Sequence, residues 1–332
     1  MDRSFMMQEK CMSPVTILSL GGTILSRFGS SEPVRLEALT ADLPKSDLTF
    51  AELARVGSNQ LTFADIKGLA AEIIRRHQAK PQSFVVLQGT DTLEETSFLL
   101  DLLIPVGIPV VVTGAMRTAD AAGADGPANL LDAIAAARRL AGLATGVVVC
   151  FAGELHAARL VRKIDANRPA AFASPGFGPI GAVTEGQLRL IVRLAVAPGP
   201  YRVAGPVPLV GLMTLTFAMT ATEAAASLAP SFAGLVVAGL GAGTMPPDLD
   251  PLLAAAASRY PVLITSRCGQ GEVSAAAYIG PGTTHHLVGQ GVIAGGALEP
   301  RKARILLTVL LWSGLRGADL LRELTRWLDL GL

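Results

Sequence analysis

Two short segments combine glycine, threonine and, in one of them, aspartate, in an order that suits attack on a carbonyl carbon. Leu20-Gly21-Gly22-Thr23-Ile24 directly follows the apolar run VTILSL (15–20). Gln88-Gly89-Thr90-Asp91-Thr92 follows a second run, SFVVLQ (83–88), and leads into Leu93-Glu94-Glu95-Thr96. A threonine hydroxyl can serve as nucleophile, and bare backbone N–H groups in a glycine turn can hold the oxyanion that forms. Glycine also lets a ligand approach the backbone closely. Each turn alone has a plainer explanation, because Asp91 or Thr92 is a good helix N-cap. The two together, each after a strand of one sheet, favour chemistry over capping.

A lysine completes the set. The chain has six lysines against 22 arginines, and Lys163 stands among Arg159, Arg162 and Arg168. An arginine cannot give up a proton, whereas a lysine can. Desolvation makes a lysine easier to deprotonate, and a carboxylate such as Asp91 nearby opposes that. Lys163 therefore reads as a proton relay or orienting group rather than a standing free base.

Competing chemistries lack their motifs. Gly239-Leu240-Gly241-Ala242-Gly243 follows a strand but is not the dinucleotide fingerprint, and there is no P-loop lysine, H-E-x-x-H or G-x-S-x-G. His77, His156, His285 and His286 do not fall at helical ligand spacing, and the adjacent pair reads as a surface loop. Cys11, Cys150 and Cys268 are far apart and odd in number, which indicates neither a disulfide framework nor a zinc site. No cofactor is expected.

The elements that must position these residues are legible. Apolar runs at 15–20, 83–88, 109–114 and 146–151 are short and apolar on both faces, as buried parallel strands are. Between them, helical spacing predicts Phe63–His77 with Thr62 as N-cap, Thr92–Leu103 and Asn129–Leu140. Strand and helix in alternation mean parallel βαβ units with ligand loops at the strand C-termini. The pattern breaks in a stretch with four prolines, VAPGPYRVAGPVP (196–208), and then resumes. Strands are predicted at 209–215, 234–240 and 261–266, with helices over Thr220–Leu228, Pro247–Ser258 and from Arg301 onward. The predicted fold is α/β. A larger doubly wound, mainly parallel N-terminal domain (1–198) is joined by a linker (199–208) to a smaller C-terminal α/β domain (209–332).

Composition narrows the partners. Half of the 332 residues are hydrophobic and 17% are charged, which excludes a disordered chain. A formal net charge of +1 leaves no electrostatic footprint for nucleic acid or an anionic membrane. Aromatic residues, at 5%, are too few to build stacking platforms for single strands. The run VTILSL is too short to span a bilayer, and the preceding residues lack an apolar leader. The cytoplasm is therefore the expected location; an exported chain shorn of its leader also fits.

Taken together, the motifs resemble those of the bacterial-type L-asparaginase family of asparaginase/glutaminase-like amidohydrolases. The likeness runs from Val15 to about Leu324. It is carried by LGGTILS (20–26), VGS (56–58), QGTDTLEET (88–96), VVVTGAMR (110–117) with ADGPANL (124–130), VRKI (161–164) with ASPGFGPIG (173–181), and GGALEPRKAR (295–304). The resemblance implies hydrolysis of a side-chain amide to the acid and ammonia. It casts Thr23 as the nucleophile that forms an acyl-enzyme, with Thr90, Asp91 and Lys163 as a second catalytic cluster. Gly22, Ser58, Asn59, Gly89 and Ala115 would bind substrate, Ser58 at its carboxylate. It further implies a small-molecule amide substrate and a homodimer or homotetramer.

Several positions depart from the family pattern. The loop after the nucleophile, Leu25 to Arg35, holds Phe28 but no tyrosine, and the first tyrosine of the chain is Tyr201. Ser26, Ser30 or Ser31 could substitute, or Thr23 is activated otherwise. Asn59 replaces the usual glutamine. Gly241-Ala242-Gly243 and Thr284-His285-His286 stand where a neighbouring subunit would supply an asparagine and an acid, with Glu272 as a substitute. A buried ammonium without acceptors is costly. Two alternatives therefore stay open: hydrolysis of an amide, lactam or cyclic imide without a free α-amino group, and a non-catalytic binding protein on the same scaffold.

Overall fold

The computed structural model describes residues 13–27 and 47–331. It divides into two compact units, Met1–Val196 and Ala197–Leu332.

In the first unit the strands are β1 (Val15–Ser19), β2 (Leu48–Glu52), β3 (Ser83–Leu87), β4 (Val110–Thr113), β5 (Val147–Phe151), β6 (Glu154–Ala157), β7 (Arg162–Lys163), β8 (Phe172–Ala173), β9 (Gly181–Thr184) and β10 (Gln187–Leu190). Eight of them form one sheet in the order β10-β9-β6-β5-β4-β3-β1-β2, while β7 and β8 make a separate antiparallel pair. Strands β1 to β5 are mutually parallel, and β6, β9 and β10 join antiparallel at one end. The parallel strands β1, β3, β4 and β5 are buried along their whole length, as the apolar runs require. The order 2-1-3-4-5 reverses direction between β1 and β3, and ligands of such sheets bind beyond the strand C-termini at that switch point. Both threonine turns leave the sheet there.

The helices of this unit are α1 (Phe63–Ala79), α2 (Leu93–Leu103) and α3 (Gly126–Leu140). Helix α3 packs across β3, β4 and β5, and α2 packs on β5 and against α1. Helix α3 starts three residues before the predicted Asn129, because Pro127 in its first turn extends the helix backward. At α1 the predicted cap is present as a full capping box. The Asp65 amide donates to Thr62 Oγ1 at 3.3 Å, and the Thr62 amide donates to Asp65 Oδ2 at 2.8 Å. Bonds from the Thr62 hydroxyl and amide hold the Asp65 carboxyl below its ordinary range. That contribution is complete above about pH 4 and fades as pH falls through the lowered value. Thr62→Ala is expected to cost about 1 kcal/mol and to lower the melting temperature by about 2–4 °C in a thermal melt at neutral pH.

The second unit has a parallel sheet in the order β11 (Val210–Thr214), β12 (Gly234–Gly239), β13 (Val262–Ser266) and β14 (Ile293–Ala294). Its helices are α4 (Ala221–Ala226), α5 (Asp250–Ala257), α6 (Thr284–Val288), α7 (Pro300–Trp312) and α8 (Gly317–Leu328). The predicted helix over 247–258 begins as a 3₁₀ turn at Pro247–Leu249. The predicted terminal stretch is two helices, parted where Gly314 takes φ +89°. Residues 199–208 carry neither helix nor strand. They are tied to α7 and α8: Trp312 Nε1 donates to the Gly205 carbonyl at 3.0 Å, and the Tyr201 hydroxyl donates to Glu323 Oε1 at 2.6 Å. His285 and His286 lie on α6 rather than in a loop, because Thr283 caps a short helix there with a bond from the His286 amide. No helix among the described residues is long and apolar enough to cross a membrane.

Candidate active site

The two threonine turns touch through their backbones. Gly22 adopts φ +98°, ψ −178°, a region essentially reserved for glycine. A Cβ there would lie 2.2 Å from the Gly89 nitrogen and 2.5 Å from its Cα. Bare glycine at position 22 is what lets the turn after β1 close on the turn after β3. Thr23 follows as the first residue of a 3₁₀ turn, Thr23–Leu25, and is partly exposed. Its neighbour Ser26 donates its hydroxyl to the Gly22 carbonyl at 3.1 Å, a local bond that buttresses the turn. Phe28, Ser30 and Ser31 lie outside the described residues.

The second turn is built from three segments. Ser58, 2% exposed, packs on Gly89, where a Cβ would meet Ser58 Oγ at 2.8 Å. Ser58 Oγ accepts from the Asp91 amide at 3.1 Å, and the Thr92 hydroxyl donates to the Ser58 carbonyl at 2.9 Å. Thr92 occupies the N-cap position of α2, but its hydroxyl is spent on Ser58 and makes no capping bond. The capping explanation of Q-G-T-D-T thus fails for the Thr92 side chain. Ser58 Oγ acts as acceptor toward Asp91, and as a hydroxyl it can also donate its own proton.

Lys163 arrives from the β7–β8 hairpin. Its Nζ donates to Thr90 Oγ1 at 2.9 Å and stands 3.7 Å from Asp91 Oδ1. Thr90 is buried, the Lys163 side chain is 17% exposed and the Asp91 side chain 66%. The arrangement is a hydroxyl held by an ammonium group, with an open carboxylate at its rim. A hydroxyl that accepts from an ammonium keeps its own proton to donate elsewhere.

Other candidates sit less centrally. Asn59 is exposed, and its Oδ1 is turned back over Gly57, 2.5 Å from where a Cβ would stand. Ala115 is fully buried beyond the end of β4, so it lies behind the surface of the turns. Ala242, Glu272, His285 and His286 belong to the second unit, which is described by itself. There the Ala242 carbonyl accepts from the Ser274 amide at 2.9 Å, and Glu272 is exposed.

The G-A-M-R…A-D-G-P-A-N-L signature has a structural explanation. Asp125 accepts from the Met116 and Arg117 amides, both at 2.9 Å, and so closes the turn after β4. Asn129, which is buried, donates to the Gly114 carbonyl at 3.0 Å and accepts from the Ala152 amide at 3.0 Å, bridging the ends of β4 and β5. One further residue is not foreseen by the motifs. Glu94, 1% exposed, accepts from the Lys163 backbone amide at 2.6 Å. It lies within QGTDTLEET, but nothing in that motif marks it apart from being an acid at the start of the apolar stretch Leu93–Leu103.

Thiol chemistry has no foothold at Cys150. Burial, with the Asp132 carboxylate adding to it, pushes that thiol well above its ordinary range. Among the described residues, no group of three or more His, Cys, Asp or Glu is arranged to hold a metal.

Both units match known family models. Residues 14–195 match "Asparaginase, N-terminal" and residues 209–323 match "Glutaminase/Asparaginase C-terminal domain". The chain belongs to the asparaginase family. It is 35% identical to a probable L-asparaginase of Deinococcus radiodurans, over 94% of this chain and 97% of that protein. It is 30% identical to L-asparaginase 2 of Escherichia coli, over 90% of this chain and 88% of that one. The crystal structure of a probable cytoplasmic L-asparaginase from Campylobacter jejuni superposes with a TM-score of 0.84 at 27% identity, covering 95% of this chain and 99% of that one. The two-domain α/β architecture is that of the asparaginase family, and the chain is an asparaginase-type amidohydrolase.

Proposed function

We propose that this amidohydrolase cleaves the side-chain amide of L-asparagine, or of a close analogue, through an acyl-enzyme on Thr23. The observation that carries the reading is the backbone contact of Gly22 with Gly89, which brings the Thr23 turn against the turn that holds Thr90, the partner of Lys163. Thr23 Oγ1 attacks the amide carbon, the C–N bond breaks, and the nitrogen leaves as ammonia with the hydroxyl proton. Water then hydrolyses the ester and restores the threonine. Thr90 and Lys163 move protons through their hydrogen bond, Asp91 receives a substrate ammonium at the rim, and Ser58 donates to the carboxylate. Gly22 and Gly89 form the floor, with Asn59 at its edge and Ala115 packed behind it. A homodimer or homotetramer belongs to the same reading, as does a cytoplasmic location, which is in line with the description of the Campylobacter protein as cytoplasmic.

A second reading has its own support. The first tyrosine of the chain is Tyr201, so the first unit has none, and Ala242 and Asn59 lack groups that would serve an α-amino function. These departures favour an amide or cyclic imide without a free α-amino group.

One experiment separates the readings. L-Asparagine, L-glutamine, D-asparagine, succinamate and small cyclic imides are supplied in turn, with ammonia release and ring opening measured. Acid-quenched protein is then mapped by mass spectrometry. The expected result is turnover of L-asparagine with an ester on Thr23. Preference for succinamate or an imide supports the second reading. An ester on Thr90 overturns the assignment of the nucleophile. Stabilisation by asparagine without consumption of any amide overturns catalysis.

A further inference from the structure

Lys163 sits on a hairpin outside the main sheet. Among the described residues β7 pairs with β8, Arg162 opposite Ala173 and Lys163 opposite Phe172, and the two form a sheet of their own. Ladder hydrogen bonds of the eight-stranded sheet therefore do not set how far the Lys163 ammonium stands from the turn after β3. The Leu160 and Val161 amides, on the Ala157 carbonyl at 2.9 and 3.0 Å, tie the approach to β7 to the end of β6, and side chains fix the hairpin itself. His156 Nδ1 lies 3.0 Å from Ser174 Oγ just beyond β8, and the Phe172 ring packs on Phe151 with centroids 4.7 Å apart. Both contacts hold the hairpin to the body of the unit.

The contact with Glu94 is different in kind. Glu94 lies four residues beyond Thr90 on the same continuous segment, at the start of α2, and its Oε2 accepts from the Lys163 amide at 2.6 Å. The same segment also takes the other end of the residue, through Thr90 Oγ1 at 2.9 Å from Nζ. Lys163 is thus gripped at backbone and at side-chain tip by residues 94 and 90. The span between those grips fixes where the ammonium sits. A carboxyl oxygen that accepts a backbone amide at 2.6 Å, out of reach of water, fixes the position of that stretch of backbone.

We infer that Glu94 is a positioning residue for the hydrolytic site: its buried carboxylate holds the Lys163 backbone so that the ammonium reaches Thr90 Oγ1. This rests on the proposed role of the Thr90–Lys163 pair in proton transfer. The competing explanation is that Glu94 merely favours the start of α2, where an acid interacts well with the helix dipole. Glu94→Asp separates the two. It keeps an acid at the helix start and withdraws the acceptor by one methylene.

The test uses the full chain as wild type, Glu94→Gln, Glu94→Asp and Glu94→Ala. Asparagine turnover is measured as kcat and KM. Acetylation of Lys163 by acetic anhydride is followed by mass spectrometry, with exposed Lys80 as internal reference. Glu94→Asp and Glu94→Ala are expected to lower kcat about 10²-fold with KM changed less than about threefold, as displacement of a reacting group by about 1 Å does. Acetylation of Lys163 rises several-fold relative to Lys80 in both. Glu94→Gln retains an oxygen acceptor, so it keeps kcat within about tenfold of wild type and leaves the acetylation rate near it. Wild-type acetylation in folded Glu94→Asp overturns the inference, as does a Glu94→Gln protein that behaves like Glu94→Ala. If Glu94→Ala does not fold, Glu94→Asp decides. If wild type turns over no amide, the proposed function fails, and the acetylation rates still decide whether Glu94 holds Lys163.

Discussion

Alanine at position 22 is expected to lower both stability and turnover sharply, although it adds a single methyl group far smaller than most core substitutions. The added Cβ would stand 2.2 Å from Gly89 N, 2.5 Å from Gly89 Cα and 2.7 Å from Gln88 C. All three are backbone atoms, so no side chain can swing aside. Over-packing of this sort costs about 1–3 kcal/mol. The backbone itself is unsuited to alanine, since φ +98° with ψ −178° costs a non-glycine residue about 1–3 kcal/mol more. A total near 3 kcal/mol or above lowers the melting temperature of a unit the size of Met1–Val196 by about 6–12 °C. The cheapest relief is to move the turn after β1 away from the turn after β3, which carries Thr23 off its target. A shift of about 1 Å is enough to lose about 10²-fold in kcat. Thermal melts and amide turnover measure the two effects on one preparation. Wild-type values for both would show that the turns do not press on each other in solution.

That contact explains why so much of the site is legible. Thr23 and Thr90 are visible in the sequence because each stands in a glycine turn right after a buried apolar strand. In a parallel sheet such turns must emerge on one edge. The reversal of strand order between β1 and β3, which makes them neighbours, is a property of topology that local pattern does not encode. Lys163 stands out by type, an exchangeable proton among arginines. Its hydrogen bond to Thr90 spans 73 residues and depends on a hairpin with two residues per strand, too short for periodicity to register.

The parts of the fold that stay hidden share a physical cause. β10 reads QLRL, half polar because an antiparallel strand at the sheet end faces solvent on one side, and β6 reads ELHA, whose buried polar residue, His156, interrupts its apolar run. Neither has the continuous apolar run that marks a buried strand. His285 and His286 look like loop residues because adjacent histidines carry no helical signal. The capping bond from the His286 amide to Thr283, three residues earlier, makes the short helix. Glu94 lies inside a motif yet shows no task there, since its partner is the backbone of a residue 69 positions away. A side chain that binds a distant main-chain amide leaves no trace in residue types.

Replacing Lys163 by arginine tests the proton argument more cleanly than truncation. Arginine keeps the positive charge opposite Asp91 and can still donate to Thr90 Oγ1, so hydrogen bonding and charge balance are largely preserved. What it removes is an exchangeable proton, because a guanidinium stays protonated at any pH at which the protein is folded. If Lys163 served as an anchor for Thr90 alone, the arginine protein would keep much of its turnover. As a relay, its loss is expected to lower kcat by about 10²–10⁴-fold, the usual cost of a missing acid–base group. Lys163→Met, which removes both bond and charge, is expected to be no more than about tenfold worse. KM for the arginine protein should stay near wild type, since Asp91 and Ser58, not Lys163, face the charged ends of the substrate in the proposed mode. Steady-state kinetics of the three proteins on the best amide, with circular dichroism to establish folding, decides the matter. An arginine protein within about threefold of wild type in kcat would reduce Lys163 to a structural tie, and the proton would have to travel by another path.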